Sequence, residues 1–214
     1  MTPPRAPGGA YEGAGRQVAG AVRGYSSVIV TSDDVVVAAH TAIGIALAES
    51  AHRLVMIGDL AGEAEPLQAL VKDDDAHGIY DSFEFGTSFA RIAREVQGAT
   101  NLYIMPSGTE SAATERILTS PRWKTFASEF ANSDELLLLV VHSDSPGLAQ
   151  LAAQLDGVVL VGIQRLPAAA NASVLARIPH PVEAAPPKID LAAKQPEKTL
   201  SPTMVGMAAA GLLL

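Results

Sequence analysis

The sequence contains no cysteine, which excludes a disulfide framework, a thiolate nucleophile and a cysteine-ligated metal. Basic residues are also scarce, with 15 Lys and Arg against 23 Asp and Glu and a formal net charge of −8. This balance disfavours nucleic acid as a partner, because binding to phosphates requires a basic face. No apolar run opens the chain, so we expect no signal peptide and a cytoplasmic location.

Hydrophobic residues, in contrast, are abundant: they make up 48% of the 214 residues, and the mean hydropathy is +0.22. Short apolar runs alternate with helical patterns, and such alternation predicts βαβ units. Right-handed crossovers then place helices on both faces of the sheet. The predicted fold class is α/β, with a doubly wound, mostly parallel sheet in a three-layer α/β/α arrangement. The predicted strands are 27–31 (SVIVT), 53–57 (RLVMI), 101–105 (NLYIM), 135–141 (ELLLLVV) and 157–163 (GVVLVGI).

Composition divides the chain into four parts. Residues 1–15 are rich in Pro, Gly and Ala and are predicted to be disordered. The α/β domain is expected over 16–166, and a Pro/Ala-rich linker over 167–200. Residues 201–214 form an apolar, uncharged tail. We interpret this tail as the first turns of a transmembrane helix, with a segment that docks on protein and a disordered segment as alternatives.

The carboxyl ends of the strands are where a sheet of this kind binds ligands. The expected tips lie at 31–37, 58–60, 106–108 and 142–146. His142 with Ser143 and Asp144 would make a hydrolytic cluster, and His142 with His40 would make a pair of metal ligands. Neither arrangement is favoured, because a histidine at a strand end is more often a simple polar terminus.

Eight short segments follow the order and spacing of a known family. In this order they resemble the cytoplasmic P-loop domain of bacterial polysaccharide-export tyrosine kinases, which are relatives of the MinD/ParA ATPases. The resemblance covers roughly residues 16–165 and implies a P-loop NTPase-like fold. The segments are VTS (30–32), GIALA (44–48), MIGDL (56–60), HGIYDS (77–82), NLYIMPSG (101–108), ILTSPR (117–122), LVVHSDSP (139–146) and DGVVLV (156–161).

The segment that would hold the phosphates departs from the family pattern. Residues 33–39 contain no glycine, no lysine and no hydroxyl group, although a phosphate loop needs all three. Asp33 and Asp34 instead place negative charge where a triphosphate would lie. The repulsion between a carboxylate and a phosphate charge is ~4 kcal/mol at a separation of ~4 Å. The bulky side chain of Val36 would also crowd the approach to the backbone. The Walker A element is therefore interpreted as degenerate.

The other strand tips keep little of the family's chemistry. The resemblance aligns Asp59 with a retained aspartate, but it places His142 where the family has its magnesium-binding aspartate. Asp144 lies two residues further on and is only a partial substitute. We expect no catalytic residue, no metal and no cofactor. The predicted vestigial nucleotide site comprises Ser32, Asp33, Asp34, Val36, Asp59, His142 and Asp144.

Two further features of active kinases are missing. Residues 167–214 contain no tyrosine that could be phosphorylated, and the first helical segment lacks a Glu-x-x-Arg-x-x-Arg ring-forming motif. We therefore expect a non-catalytic pseudo-kinase or pseudo-ATPase that acts as a scaffold or regulator. The apolar tail predicts a tether to the inner membrane. The resemblance implies a membrane-associated system of exopolysaccharide synthesis or export, with protein partners. A homodimer is one option for such a partner.

Two alternatives stay open. One is an active ATPase or tyrosine kinase with an atypical nucleotide site. The other is a soluble domain recruited as a subunit of an unrelated membrane complex. A test of nucleotide binding separates the first alternative from the non-catalytic reading.

Overall fold

The computed structural model describes residues 8–71, 77–162, 166 and 172–179. Helices and strands alternate along most of this length, as the sequence predicts. The helices are α1 (Gly8–Val22), α2 (Val35–Glu49), α3 (Glu65–Gln68), α4 (Ile79–Phe85), α5 (Phe89–Ile92), α6 (Glu115–Leu118), α7 (Arg122–Asn132) and α8 (Leu148–Ala152). The strands are β1 (Ser27–Ser32), β2 (Val55–Asp59), β3 (Arg94–Glu95), β4 (Leu102–Met105), β5 (Leu136–His142), β6 (Gly157–Val161) and β7 (Val174–Ile178).

The strands form one sheet in the order β3-β4-β2-β5-β1-β6-β7. All neighbouring strands are parallel except β3, which pairs antiparallel with β4 at one edge. The central strand β5 runs between β1 and β2, so that Ser32 lies opposite His142 and Asp59 opposite Val140. This register brings the carboxyl ends of three strands to one place.

Each face of the sheet is covered by a separate hydrophobic cluster. Val28, Val30, Leu138 and Val140 pack with α1 and α2 on one face. The residues between them in sequence, such as Leu139, pack with α4, α6, α7 and α8 on the other. Side chains of a strand alternate between the two faces, which explains why β5 is a continuous apolar run. The predicted three-layer α/β/α fold class is confirmed.

Helix α1 packs closely across α2 through two glycines. A Cβ atom built on Gly44 would lie 2.1 Å from the carbonyl oxygen of Glu12, and one built on Gly15 would lie 2.3 Å from that of Thr41. Any larger residue at either position would therefore separate the helices. Glu12 also contacts His40 Nδ1 across this interface at 3.2 Å.

At their C-terminal ends α1 and α2 are joined by ion pairs to the buried carboxylate of Glu49. Glu49 is fully buried, and its carboxylate contacts the guanidinium groups of Arg23 and Arg53 at 3.2 and 3.1 Å. Arg53 also donates to the carbonyl oxygens of Tyr25 and Val22. Buried charges need such partners, so the network fixes the end of α2 against the start of β1.

The structure differs from the expected division of the chain at two places. Helix α1 begins at Gly8, so the segment 1–15 is not disordered over residues 8–15, because the close crossing with α2 stabilises a glycine-rich helix. Strand β7 lies inside the predicted linker 167–200 and pairs with β6. Apart from residues 172–179, that linker and the tail 201–214 lie outside the described residues.

Two short helices end sooner than the sequence pattern alone would indicate. Residues 88–95 have helical spacing, but α5 ends at Ile92 and the chain then enters β3. Pro121 lies between α6 and α7. Within the described residues, no helix combines the length and the hydropathy that crossing a bilayer requires.

Candidate functional site

The connection between β1 and α2 is very short. β1 ends at Ser32 and α2 begins at Val35, so only Asp33 and Asp34 join them. A phosphate loop wraps its backbone around the phosphates over several residues before the helix starts. Two residues are too few to form such a loop.

Asp34 caps the N-terminus of α2. Its carboxylate oxygen accepts hydrogen bonds from the backbone N–H groups of Val36 and Val37, at 2.9 and 3.4 Å. The first N–H groups of a helix have no partner within the helix, and for this reason an aspartate at this position is stabilising. In helix-terminal anion sites the same N–H groups bind phosphate. Here a carboxylate of the protein itself takes that position.

Ser32 and Asp33 complete the turn that leads to the cap. The buried hydroxyl of Ser32 accepts a hydrogen bond from the N–H of Asp34 at 3.1 Å and donates to the carboxylate of Asp33 at 3.3 Å. Val36 follows in the first turn of α2, with 42% of its surface exposed. The turn thus places two carboxylates and one exposed valine at the strand tip.

His142 links the tip of β5 to this turn. Its Nδ1 atom accepts from the backbone N–H of Asp144 at 3.1 Å, so the ring proton must be on Nε2, which donates to the carbonyl oxygen of Asp33 at 3.1 Å. Both ring nitrogens are therefore engaged by backbone groups. The imidazole therefore links the β1–α2 connection to the β5–α8 connection through hydrogen bonds.

This geometry does not assemble the two alternative sites that the sequence suggests around His142. The hydroxyl of Ser143 contacts the carboxylate of Asp144 at 3.5 Å, and the ring nitrogens of His142 are both used elsewhere. His40 contacts Glu12 in the helix interface. In residues 8–71 and 77–162 and the short segments after them, no group of three His, Asp or Glu side chains could hold a metal ion.

Asp59, at the tip of β2, is turned into its own loop. Its two carboxylate oxygens accept from the N–H groups of Ala61 and Ala64, at 3.0 and 2.7 Å. Burial raises the pKa of Asp59, and the backbone N–H groups of the loop only partly offset this effect. The side chain is 1% exposed. Five of the seven predicted site residues form one hydrogen-bonded group: Ser32, Asp33, Asp34, His142 and Asp144. Val36 borders this group, and Asp59 lies in the adjacent loop.

A second hydrogen-bonded group, at the tip of β4, is not among the predicted site residues. Asp81 accepts from the N–H of Gly78 at 2.8 Å, and from the N–H and hydroxyl of Thr109 at 3.0 and 2.7 Å. Burial alone would raise the pKa of Asp81, but these hydrogen bonds outweigh it and lower the pKa. The signal in the sequence was the resemblance of residues 77–82 to a family segment.

Tyr11 of α1 is a further neighbour of the strand tips that the sequence did not indicate. Burial raises the pKa of the Tyr11 phenol, and the negative charges of Asp34 and Asp33 raise it further. Helix α1 therefore reaches the same tip as α2. Because residues 1–15 are expected to be disordered, the sequence does not place Tyr11 near Asp33 and Asp34.

No protein-family model matches the chain, and no curated protein does. Solved structures match it well. The kinase domain of VpsO superposes with a TM-score of 0.63 at 12% identity, over 80% of this chain and 96% of that one. The tyrosine kinase domain of BceF gives 0.55 at 14% identity, over 78% and 73% of the two chains. The kinase domain of the Escherichia coli tyrosine kinase ETK gives 0.57 at 11%, over 73% and 68%.

The chain has the fold of these bacterial tyrosine kinase domains. The structural likeness confirms the fold that the resemblance implied, a P-loop NTPase-like α/β sheet. At 11–14% identity a likeness of this kind is a statement about the fold. The function of the strand tips depends on the residues that this chain has there.

Proposed function

We propose that this chain is a non-catalytic, kinase-like domain that serves as a scaffold or regulator. The observation that carries the proposal is the cap of α2. The carboxylate of Asp34 holds the N–H groups of Val36 and Val37, which are the groups that a bound phosphate would need.

Binding of ATP would first require the cap to open. Loss of an N-terminal aspartate cap costs about 1 kcal/mol. A phosphate oxygen within ~4 Å of either Asp33 or Asp34 would then add a repulsion of ~4 kcal/mol per charge pair before screening by salt. The chain offers no compensating lysine or glycine between residues 33 and 39. Together these terms exceed the free energy of a millimolar complex.

Phosphoryl transfer depends almost entirely on groups that position and neutralise the phosphates. At the tip of β5, His142 is engaged by two backbone groups and offers no carboxylate for magnesium. A fold that retains its core but lacks these groups is suited to binding other proteins. By analogy, we infer a role in a membrane-associated exopolysaccharide system, with protein partners and association of two copies through the strand-tip face.

Calorimetric titration with ATP and magnesium tests this proposal. We expect no heat above dilution for the wild type, and no transfer of labelled phosphate to the protein. Asp34→Asn is the matched variant, because asparagine keeps the capping oxygen but removes the charge. If geometry as well as charge prevents binding, this variant should not bind ATP either. Saturable micromolar binding by the wild type would instead support an active ATPase or kinase with an atypical site.

A further inference from the structure

The aromatic residues of this chain are few and concentrated. They make up 5% of the sequence, with five phenylalanines, four tyrosines and one tryptophan. Phe83, Phe89 and Phe126 pair with one another. Trp123 pairs with Phe83 and Phe126, with ring centroids 4.9 and 6.0 Å apart. This aromatic cluster packs on the sheet face opposite to α1 and α2.

A cavity of about 480 Å³ lies beside the aromatic cluster, between residues 86–90 and one face of α7. Arg122, Thr125, Phe126 and Glu129 line it from α7, at the spacing of three and four residues that places side chains on one helix face. Phe89 lines it from the other side. The volume is in the range of small-molecule sites.

Arg122 is held in a fixed position at this cavity. Its guanidinium carbon lies 4.7 Å from the ring centroid of Phe83 and 5.8 Å from that of Phe126, and one NH group donates to the carbonyl oxygen of Ser82 at 2.8 Å. The ion pairs found among the described residues do not include Arg122. Most of its five N–H donors therefore stay available.

We propose that this cavity binds a small aromatic molecule that carries one carboxylate. The aromatic ring would lie against Phe89 and Phe126, because aromatic rings pair favourably beyond the area they bury. The carboxylate would be bound by Arg122, because the guanidinium fork matches a carboxylate and the charge-assisted bond is strong. Glu129 lines the same cavity and disfavours a second negative charge. The site is on the sheet face away from the α2 cap, so the inference does not rest on the proposed function.

The single tryptophan reports on this site directly. Trp123 is fully buried and lies against Phe126, so a ligand on Phe126 should change its fluorescence. We expect a saturable change on titration with 3-phenylpropionate, with a Kd of about 1 mM for so small a ligand. The neutral 3-phenylpropanamide should bind ~10-fold more weakly, because it cannot form the charge-assisted pair.

Arg122→Gln should weaken the acid ~10-fold and leave the amide nearly unchanged. Arg91→Gln is the matched control, since Arg91 is an exposed arginine of α5 that is absent from the cavity lining. Thr125→Phe, which keeps Arg122 but fills the cavity, should abolish binding of both compounds and covers the case in which Arg122→Gln fails to fold. Equal binding of acid and amide, full binding by Thr125→Phe, or the absence of any saturable change would each overturn the proposal.

Discussion

The cap of α2 by Asp34 leads to a quantitative prediction about stability. Asp34→Ala removes the carboxylate that accepts from Val36 and Val37 at 2.9 and 3.4 Å. Two N–H groups of the first turn then have only solvent as a partner. We expect a loss of about 1 kcal/mol in the free energy of unfolding. For a domain of this size the melting temperature should fall by about 2–4 °C.

Asp34→Asn separates the hydrogen bonds from the charge. Asparagine supplies an oxygen for the same N–H groups, so only the interaction of the charge with the helix dipole is lost, which is worth ~0.3–1 kcal/mol. Asp144→Ala is the control, because this carboxylate is exposed and, among the described residues, contacts only the Ser143 hydroxyl, at 3.5 Å. Its effect should stay within about 0.5 kcal/mol.

Urea unfolding followed by the fluorescence of Trp123 measures these differences. The midpoints should order as wild type, then Asp34→Asn, then Asp34→Ala, with unchanged slopes. If Asp34→Ala is as stable as the wild type, the cap contributes nothing and the main support for the proposed function is lost. If the alanine and asparagine variants lose the same free energy of unfolding, the charge of Asp34 stabilises the helix and its hydrogen bonds do not.

Two further predictions concern other parts of the strand tips. The pKa of Asp81 is lowered from 3.8, so its contribution to stability is present above that pH and is lost as pH falls through the folded-state pKa. Asp81→Asn should therefore cost ~1–3 kcal/mol at pH 7, and the difference from the wild type should shrink below about pH 4; a difference that does not vary with pH in chemical unfolding would refute this. Val36→Glu should reduce any dimer seen by light scattering, because Val36 is exposed in the first turn of α2, at the strand-tip face through which we propose that two copies associate. Phe85→Glu, at the most exposed large hydrophobic residue described, should leave the dimer intact, and a monomeric wild type would contradict the prediction outright.

Much of the sheet could be predicted because its signal is local. The run at residues 135–141 is buried on both faces, and the strand observed there, Leu136–His142, is shifted by a single residue. The segment 101–105 likewise gives β4 (Leu102–Met105). Continuous apolar runs bounded by turn residues need no tertiary information to be recognised.

The first half of helix α1, residues 8–15, could not be predicted because its stability is tertiary. Gly, Ala and Pro dominate residues 1–15, and glycine is a poor helix former. The structure shows why glycine is nevertheless suitable: the backbones of α1 and α2 approach so closely at Gly15 and Gly44 that a Cβ would collide with a carbonyl oxygen. A glycine-rich composition indicates disorder when the segment is considered alone. Here glycine is what allows α1 to pack closely against α2.

The hydrogen bonds at the strand tips could be predicted only in part. The sequence marks Asp34 as a negative charge, and an aspartate just before a helix is also a standard capping residue. The contact of His142 with the carbonyl oxygen of Asp33 joins residues 109 positions apart, and no pattern in the sequence encodes it. Chemistry at one position can be read from residue type, whereas partners across the sheet depend on register.

The hydrogen-bond partners of the polar side chains at the strand tips bear on whether a ligand binds there. A site prepared for a ligand keeps donors or acceptors directed at the place that the ligand will occupy. At these strand tips Ser32, Asp34, His142 and Asp59 direct their polar atoms at neighbouring protein groups. Under the proposed function, a nucleotide would have to compete with these bonds. The contact of His142 with the carbonyl oxygen of Asp33 joins the β1–α2 and β5–α8 connections, and we propose this solvent-facing edge as the surface that binds a protein partner.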